Sequence, residues 1–257
     1  MKKIIIPIAL LIALLIGVMI IVSRGLAESP TFMREVLPKQ DGFASVGNGT
    51  TGGSTATEQN VFKVTNKKEF VAALKNRKNT TPKIVLVYGT IDFDTDNTGK
   101  PLTMKDYMVD GYDFQQYLET HKPHSTAPTS LKDEQEDKRE ASQKNQSQSI
   151  TVHVPANTSI IGMDNAKLKG VDLVLDADNI IIRNIQFESP YDYFPAWDPK
   201  DGPEGNWNSQ YDSLSIKGGT HIWIDHCSFQ DGPETVETYF GRKYEHRDGL
   251  VDITNQA

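Results

Sequence analysis

Three aspartates in the last fifth of the chain, Asp212, Asp248 and Asp252, are the side chains whose type and spacing could hold a metal ion. Asp248 and Asp252 belong to Arg247-Asp248-Gly249-Leu250-Val251-Asp252-Ile253. On a straight strand, residues four apart share a face but stand ~13 Å from one another, too far to share one ion. A kink or bulge at Gly249 would draw the two carboxylates together. Calcium suits such a set, being a hard cation that accepts several oxygens in flexible geometry. Spacing alone would more often mean ordinary solvent-facing carboxylates, and the sequence has no Asp-x-Asp-x-Asp-Gly loop.

Other reactive types carry less. In Ile222-Trp223-Ile224-Asp225-His226 the strand period puts Ile222, Ile224 and His226 on one face and Trp223 and Asp225 on the other. Asp225 and His226 therefore should not form a local acid–base pair, and a structural hydrogen-bonding role is expected. Cys227 is the sole cysteine and reads as a packing or surface thiol. Arg242, Lys243 and Arg247 flank the acidic motif and read as solvated charges. Trp197 and Trp207 could stack on sugar rings or anchor packing, and the sequence favours neither.

The elements that must position these residues begin near residue 150. Short β-rich runs bounded by Asn, Asp and Gly occupy 151–154, 159–162, 171–175, 180–187, 214–216 and 222–229, none with a helical period. Asn157-Thr158-Ser159-Ile160-Ile161 aligns with Asn179-Ile180-Ile181-Ile182 at an offset of 22 residues, and 179–187 aligns with 221–229 at 42. Such a period indicates stacked coils, in which each coil buries its apolar face against the next. A β-sandwich is the competing architecture and would need hairpin turns at regular intervals. Upstream, a strand at 61–64 leads to Asn66, which caps a helix with Glu69 three residues on and Phe70, Val71 and Leu74 as its apolar face. A buried strand at 84–88 is closed by Gly89. Residues 92–149 look like an insertion, with aromatics at 107–117 and a charged run at 132–140 that reads as a solvated face.

Composition sets the compartment and the partners. Lys2 and Lys3 precede an uncharged apolar run, 4–22, followed by Gly25-Leu26-Ala27, so residues 1–27 read as a secretory signal cut after Ala27. The run is long enough to span a bilayer, so an uncleaved anchor is the other reading and the only route to a membrane. Cleavage removes Lys2, Lys3 and Arg24 and no acid, moving the formal charge from −7 to −10. That balance disfavours nucleic acid, and any anionic polymer unless a cation lies between. One cysteine leaves an exported monomer without an internal disulfide, so a single core in residues 28–257 must hold it.

Trp223-Ile224-Asp225-His226 and Asp248-Gly249-Leu250-Val251-Asp252-Ile253 together resemble the two hallmark motifs of polysaccharide lyase family 1, the pectate lyases. The resemblance begins near Asp41-Gly42-Phe43-Ala44 and takes in Thr51-Gly52-Gly53 and Ser159-Ile160-Ile161-Gly162. Tyr191-Asp192-Tyr193-Phe194 and Trp207-Asn208-Ser209-Gln210-Tyr211-Asp212 look like the Bacillus-type branch. What the resemblance implies is an all-β, right-handed, single-stranded parallel β-helix that cleaves polygalacturonate by calcium-dependent β-elimination. It makes Asp212, Asp248 and Asp252 the primary calcium ligands and matches Asp201 to a contact of a substrate-associated calcium. It also implies an arginine base on a later coil, beyond Ala257, so no residue here is expected to be that base. A non-catalytic pectin-binding β-solenoid is the alternative. A pectin lyase-like enzyme would lack the three carboxylates.

Overall fold

The computed structural model describes residues 30–233 and 236–257. The segment read as a secretory signal lies outside the described residues. No helix among the described residues is long and apolar enough to cross a membrane.

The parallel β-helix is the observed architecture. Four strands form one sheet, in the order β15 (Val251–Thr254), β10 (Leu214–Lys217), β5 (Asp172–Leu175), β3 (Thr151–His153). A second sheet runs β1 (Val61–Val64), β2 (Lys83–Asp92), β4 (Thr158–Lys169), β6 (Ile180–Arg183), β11 (Ile222–Asp225), with β7 (Gln186–Glu188) pairing β4 and β12 (Ser228–Gln230). Every pairing in these two sheets is parallel. The offsets read from the sequence are the register itself, since Thr158 faces Ile180 and Ile180 faces Ile222.

That register stacks like on like. Val85, Ile160, Ile182 and Ile224 form one aliphatic row across successive coils, and the rings of Phe187 and Phe229 stack 4.9 Å apart. Each buried aliphatic side chain contributes roughly 1.5–3 kcal/mol, and solenoid coils sum such terms between neighbours. The outer side of β2 and β4 is covered too, because Ile84, Leu86, Ile161 and Met163 pack with Ala56, Phe32 and Met33. Burial on both faces explains why these strands read as apolar runs rather than alternations.

The turns stack as well. Asn157, Asn179 and His221 each precede a strand in the left-handed region, at φ 57°, 62° and 55°. Asn179 donates to Asn157 Oδ1 at 2.8 Å and accepts from the Thr51 and Gly52 amides. Asparagine tolerates this backbone and supplies the side-chain bonds that hold it. A second left-handed bend at Asn184 and His226 splits the expected strands 180–187 and 222–229 into β6 and β7, and β11 and β12. Conversely, Gly89 does not end its strand: β2 passes it with a register shift between Tyr88 and Thr90.

Beside the stack lies a lobe with different ingredients. Helices α1 (Pro30–Met33) and α2 (Lys67–Leu74) flank the coils, while α3 (Met104–Tyr107), α4 (Phe114–Thr120) and α5 (Thr129–Ile150) belong to the lobe. Asn66 caps α2 through the Glu69 amide as expected, but Val71 is exposed and Ala73 joins Phe70 and Leu74 in the core. A small sheet, β13 (Glu237–Tyr239), β14 (Arg242–Tyr244), β9 (Asn206–Asn208), β8 (Ala196–Asp198), closes the lobe over Tyr107, Tyr112, Tyr117, Phe194, Trp207 and Tyr244. The run 132–140 is helical, yet not simply solvated: α5 buries Gln135, Arg139, Ser142, Gln143, Gln146 and Ile150, a helical stripe made almost wholly of polar side chains.

Candidate functional site

Register places the acidic residues. Leu173, Leu175, Leu214 and Ile216 face the core, so Asp172, Ser213, Ser215 and Lys217 alternate outward. Ser215 pairs with Asp252 on β15, putting that aspartate on the same outer face. Asp248 and Gly249 precede β15 rather than lying in it, so the bend anticipated at Gly249 comes before the strand. A methyl group on Gly249 would stand 2.6 Å from Asp212 Oδ1, so the loop passes this close only without a side chain.

The three carboxylates share a field. The Asp212 carboxyl is pushed up to about 6 by its own burial, then by the charges of Asp248, Asp252 and Asp172. Asp248 is raised by burial and by Asp252, and Asp172 by burial against its bonds to Ser215 and Thr151. The Ser215 hydroxyl lies 2.9 Å from Asp172 Oδ1 and 3.5 Å from Asp212 Oδ2. Among the described residues no three acidic, histidine or cysteine side chains already stand close enough to grip an ion. Mutual repulsion of carboxylates is nonetheless what a hard cation would relieve, and an all-oxygen donor set fits calcium.

The lobe holds this cluster in place. Gln143 of α5 donates to Asp192 Oδ2 at 3.1 Å, the same oxygen accepts the Gln210 amide at 3.2 Å, and the Tyr211 hydroxyl donates to the Gln143 carbonyl at 3.1 Å. Asp192 is fully buried, and burial pushes it up to about 6 despite these donors. A hydrogen-bonded path thus runs from α5 through Asp192 to the residues just before Asp212. On the other side His246 stacks on Tyr191 at 4.1 Å and Arg247 donates to the Ser189 carbonyl, which fixes the approach to Asp248.

The flanking cations are committed elsewhere. Arg242 donates to the His121 carbonyl and lies over Trp197, Lys243 pairs with Glu245 at 3.3 Å, and Arg247 is held at Ser189. Trp207 is fully buried among His121, Trp197, Tyr239 and Tyr244, so it offers no ring face to a sugar and serves as a packing anchor. Trp197 is half-buried, with Arg242 4.9 Å over its ring. Asp201 accepts from Asn206 Nδ2 at 3.0 Å in the turn between β8 and β9.

The strand phase misleads at His226. Its left-handed backbone, φ 50°, turns the side chain back so that Nδ1 lies 2.7 Å from Asp225 Oδ1. The pair is still structural. Asp225 Oδ2 accepts Arg183 Nε at 2.7 Å, and Arg183 also binds Glu35 and lies over the Trp223 and Phe32 rings. This knot ties the segment containing α1 to the stack, away from the acidic cluster. Cys227 packs against the core, where burial raises its thiol, the opposite of what a nucleophile needs. Sequence reasoning missed Asp172, Ser215 and Lys217. Their signal was the outward alternation of β5 and β10, recognisable once the coil register is known.

Comparison with known proteins agrees in sequence and in shape. The profile of the family described as Pectate lyase matches residues 7–105 and 120–257. A pectate lyase of Bacillus subtilis (strain 168) is 47% identical over 235 residues, which take in 90% of this chain and 56% of the relative. Pectate lyase A of Dickeya chrysanthemi is 33% identical over 221 residues, 82% of this chain and 44% of the relative. A solved structure of a pectate lyase bound to a hexasaccharide superposes with a TM-score of 0.80 at 47% identity, covering 85% of this chain and 56% of that one. The chain spans about half the length of the curated relatives it matches.

Proposed function

The chain belongs to the pectate lyase family, and from that premise we propose that Asp212, Asp248 and Asp252 hold calcium for the cleavage of polygalacturonate by β-elimination. The observation that carries this reading is an Asp212 carboxyl raised to about 6 by its burial and in part by the charges of Asp248 and Asp252, with the loop at Gly249 passing against it. Calcium held there would supply positive charge that stabilises the anion formed as a base takes the C5 proton, before the C4–oxygen bond breaks and the leaving sugar departs with its oxygen. It would also let a chain of formal charge −7 hold an anionic polymer.

This chain's own residues do the holding. Asp212 is fixed by the Asp192 path, Asp252 by its pairing with Ser215, and Asp248 by the anchored Arg247 beside it. Asp201 is assigned to a second, substrate-held calcium. Since Arg242, Lys243 and Arg247 are engaged away from the cluster, the proton-abstracting arginine is assigned to the part of the family fold that this sequence does not cover. General-base catalysis contributes typically about 10²–10⁴-fold, so residues 28–257 alone should turn over little. The same engagement of the cations favours a second reading, a non-catalytic pectin-binding β-solenoid. Residues 1–27 are assigned to export, giving an extracellular protein.

Calorimetric calcium titration tests the site. Asp212→Ala, Asp248→Ala and Asp252→Ala should each weaken binding about tenfold or more, and Asp225→Ala should leave it within about twofold. Equal losses from all four would dissolve the assignment. Absorbance of unsaturated product on polygalacturonate, with calcium and then with chelator, separates lyase from binding module.

A further inference from the structure

A cleft of about 570 Å³ runs between α5 and the outer face of β3, β5 and β10, lined by Gln143, Ser147, Thr151, Asp172, Tyr211 and Lys217 among others. It adjoins the acidic cluster directly, because Asp172 is bonded through Ser215 toward Asp212. Most of its charged groups are already spent. Arg139 binds Glu136, Gln143 and the Phe194 carbonyl, while His153 and Arg77 both engage Asp176.

Lys217 is different. It ends β10 on the outward face and is exposed. It makes no hydrogen bond or ion pair among the described residues, while its charge acts on both Asp172 and Asp212. An ammonium with three unused donors, in a cleft that opens beside a metal-type carboxylate cluster, is placed to take an anion from the cleft. Lys144, the other cation of the cleft without a partner among the described residues, stands across it on α5.

We propose that Lys217 is a specificity-determining residue that binds the free carboxylate of a uronate neighbouring the one at the aspartate cluster, and so selects unesterified over methyl-esterified polymer. The inference rests on the pectate reading above and adds to it the residue that meets the uronate charge. A methyl ester keeps the shape of the sugar but removes the charge that the ammonium would meet. Lys217→Met should therefore cost affinity for the acid and little for the ester.

The test is titration of the whole chain with calcium alone, then with trigalacturonate in calcium, then with its methyl ester. For Lys217→Met the expected result is an about tenfold loss on trigalacturonate, steeper at low salt, with the ester changed less than about twofold. Calcium affinity should hold or rise slightly, because a repelling charge has gone. Lys217→Arg should recover most of the loss, and Lys144→Met should not reproduce it. Unchanged trigalacturonate affinity in Lys217→Met, or an equal loss from Lys144→Met, would overturn the lysine's role while leaving the pectate reading intact. A wild-type chain that binds calcium but no trigalacturonate would overturn both.

Discussion

In the coil stack, Ile160, Ile182, Leu173 and Leu214 meet side chains of their own kind, and neighbouring coils repeat the same residue in register. In the lobe, Arg139, Gln143 and Gln146 meet carbonyls and carboxylates of irregular chain, and Gln146 alone spans the Tyr191 carbonyl and the Tyr193 amide. The stack supplies stability through area, which is tolerant of direction. The lobe supplies position through hydrogen bonds, which are not. The acidic cluster sits where both are needed: β10 and β15 give it a face, and the Asp192 path sets Asp212 on that face.

The comparison breaks first, if it breaks, in the stack. Leu173 is fully buried, so Leu173→Ala should destabilise the chain by about 2–5 kcal/mol, read as a lower urea midpoint for the whole transition. A loss confined to the lobe would contradict the assignment of stability to the coils. The lobe is tested by Gln143→Leu, which takes a donor from the buried Asp192 at a cost of about 1–3 kcal/mol. Amides near 206–212 should then exchange faster and calcium should bind more weakly, while the protected amides of β6 are unmoved.

Acidity sharpens the boundary between the two regions. Asp94, just past the end of β2, is pushed up to about 7 by burial and by Asp92, and its Oδ1 has no hydrogen-bond partner. Its folded value lies above the unfolded 3.8, so the folded state holds the proton more tightly. Above pH 7 the ionised buried group weighs against folding. The penalty shrinks as pH falls through about 7 and is gone near 3.8. Asp94→Asn should therefore raise stability at pH 8 by on the order of 1 kcal/mol and flatten the dependence between pH 8 and 5, measured by urea unfolding. The smallest effect is expected at His226→Asn, which keeps a residue that tolerates the left-handed bend and loses only an exposed bond to Asp225, within about 0.5 kcal/mol.

What was legible in the sequence follows the same division. Offsets of 22 and 42 residues became the strand register because stacked coils must repeat side-chain size to fill one continuous core. The bend expected at Gly249 is legible because only a residue without a side chain lets the loop pass this close to Asp212. The stripe on α5 was hidden because its period is carried by Gln, Arg and Ser, to which a hydrophobicity pattern is blind. A strand period puts His226 on the wrong face because its left-handed backbone ends the alternation. Trp207 could not be placed without knowing which aromatics surround it.

The polar stripe of α5 has a calorimetric consequence. Heat-capacity change and denaturant sensitivity scale with the apolar surface that an opening exposes. If α5 lifts from the loops it orders while its last residue, Ile150, stays in the core, the groups its stripe lays bare are amides, a guanidinium and a hydroxyl that water can satisfy in turn. Such an opening would leave the unfolding endotherm and the urea slope nearly unchanged, and hydrogen exchange would register it as a low-energy event apart from the global transition. The acidic cluster would then lose its alignment well below the melting temperature of the protein that carries it.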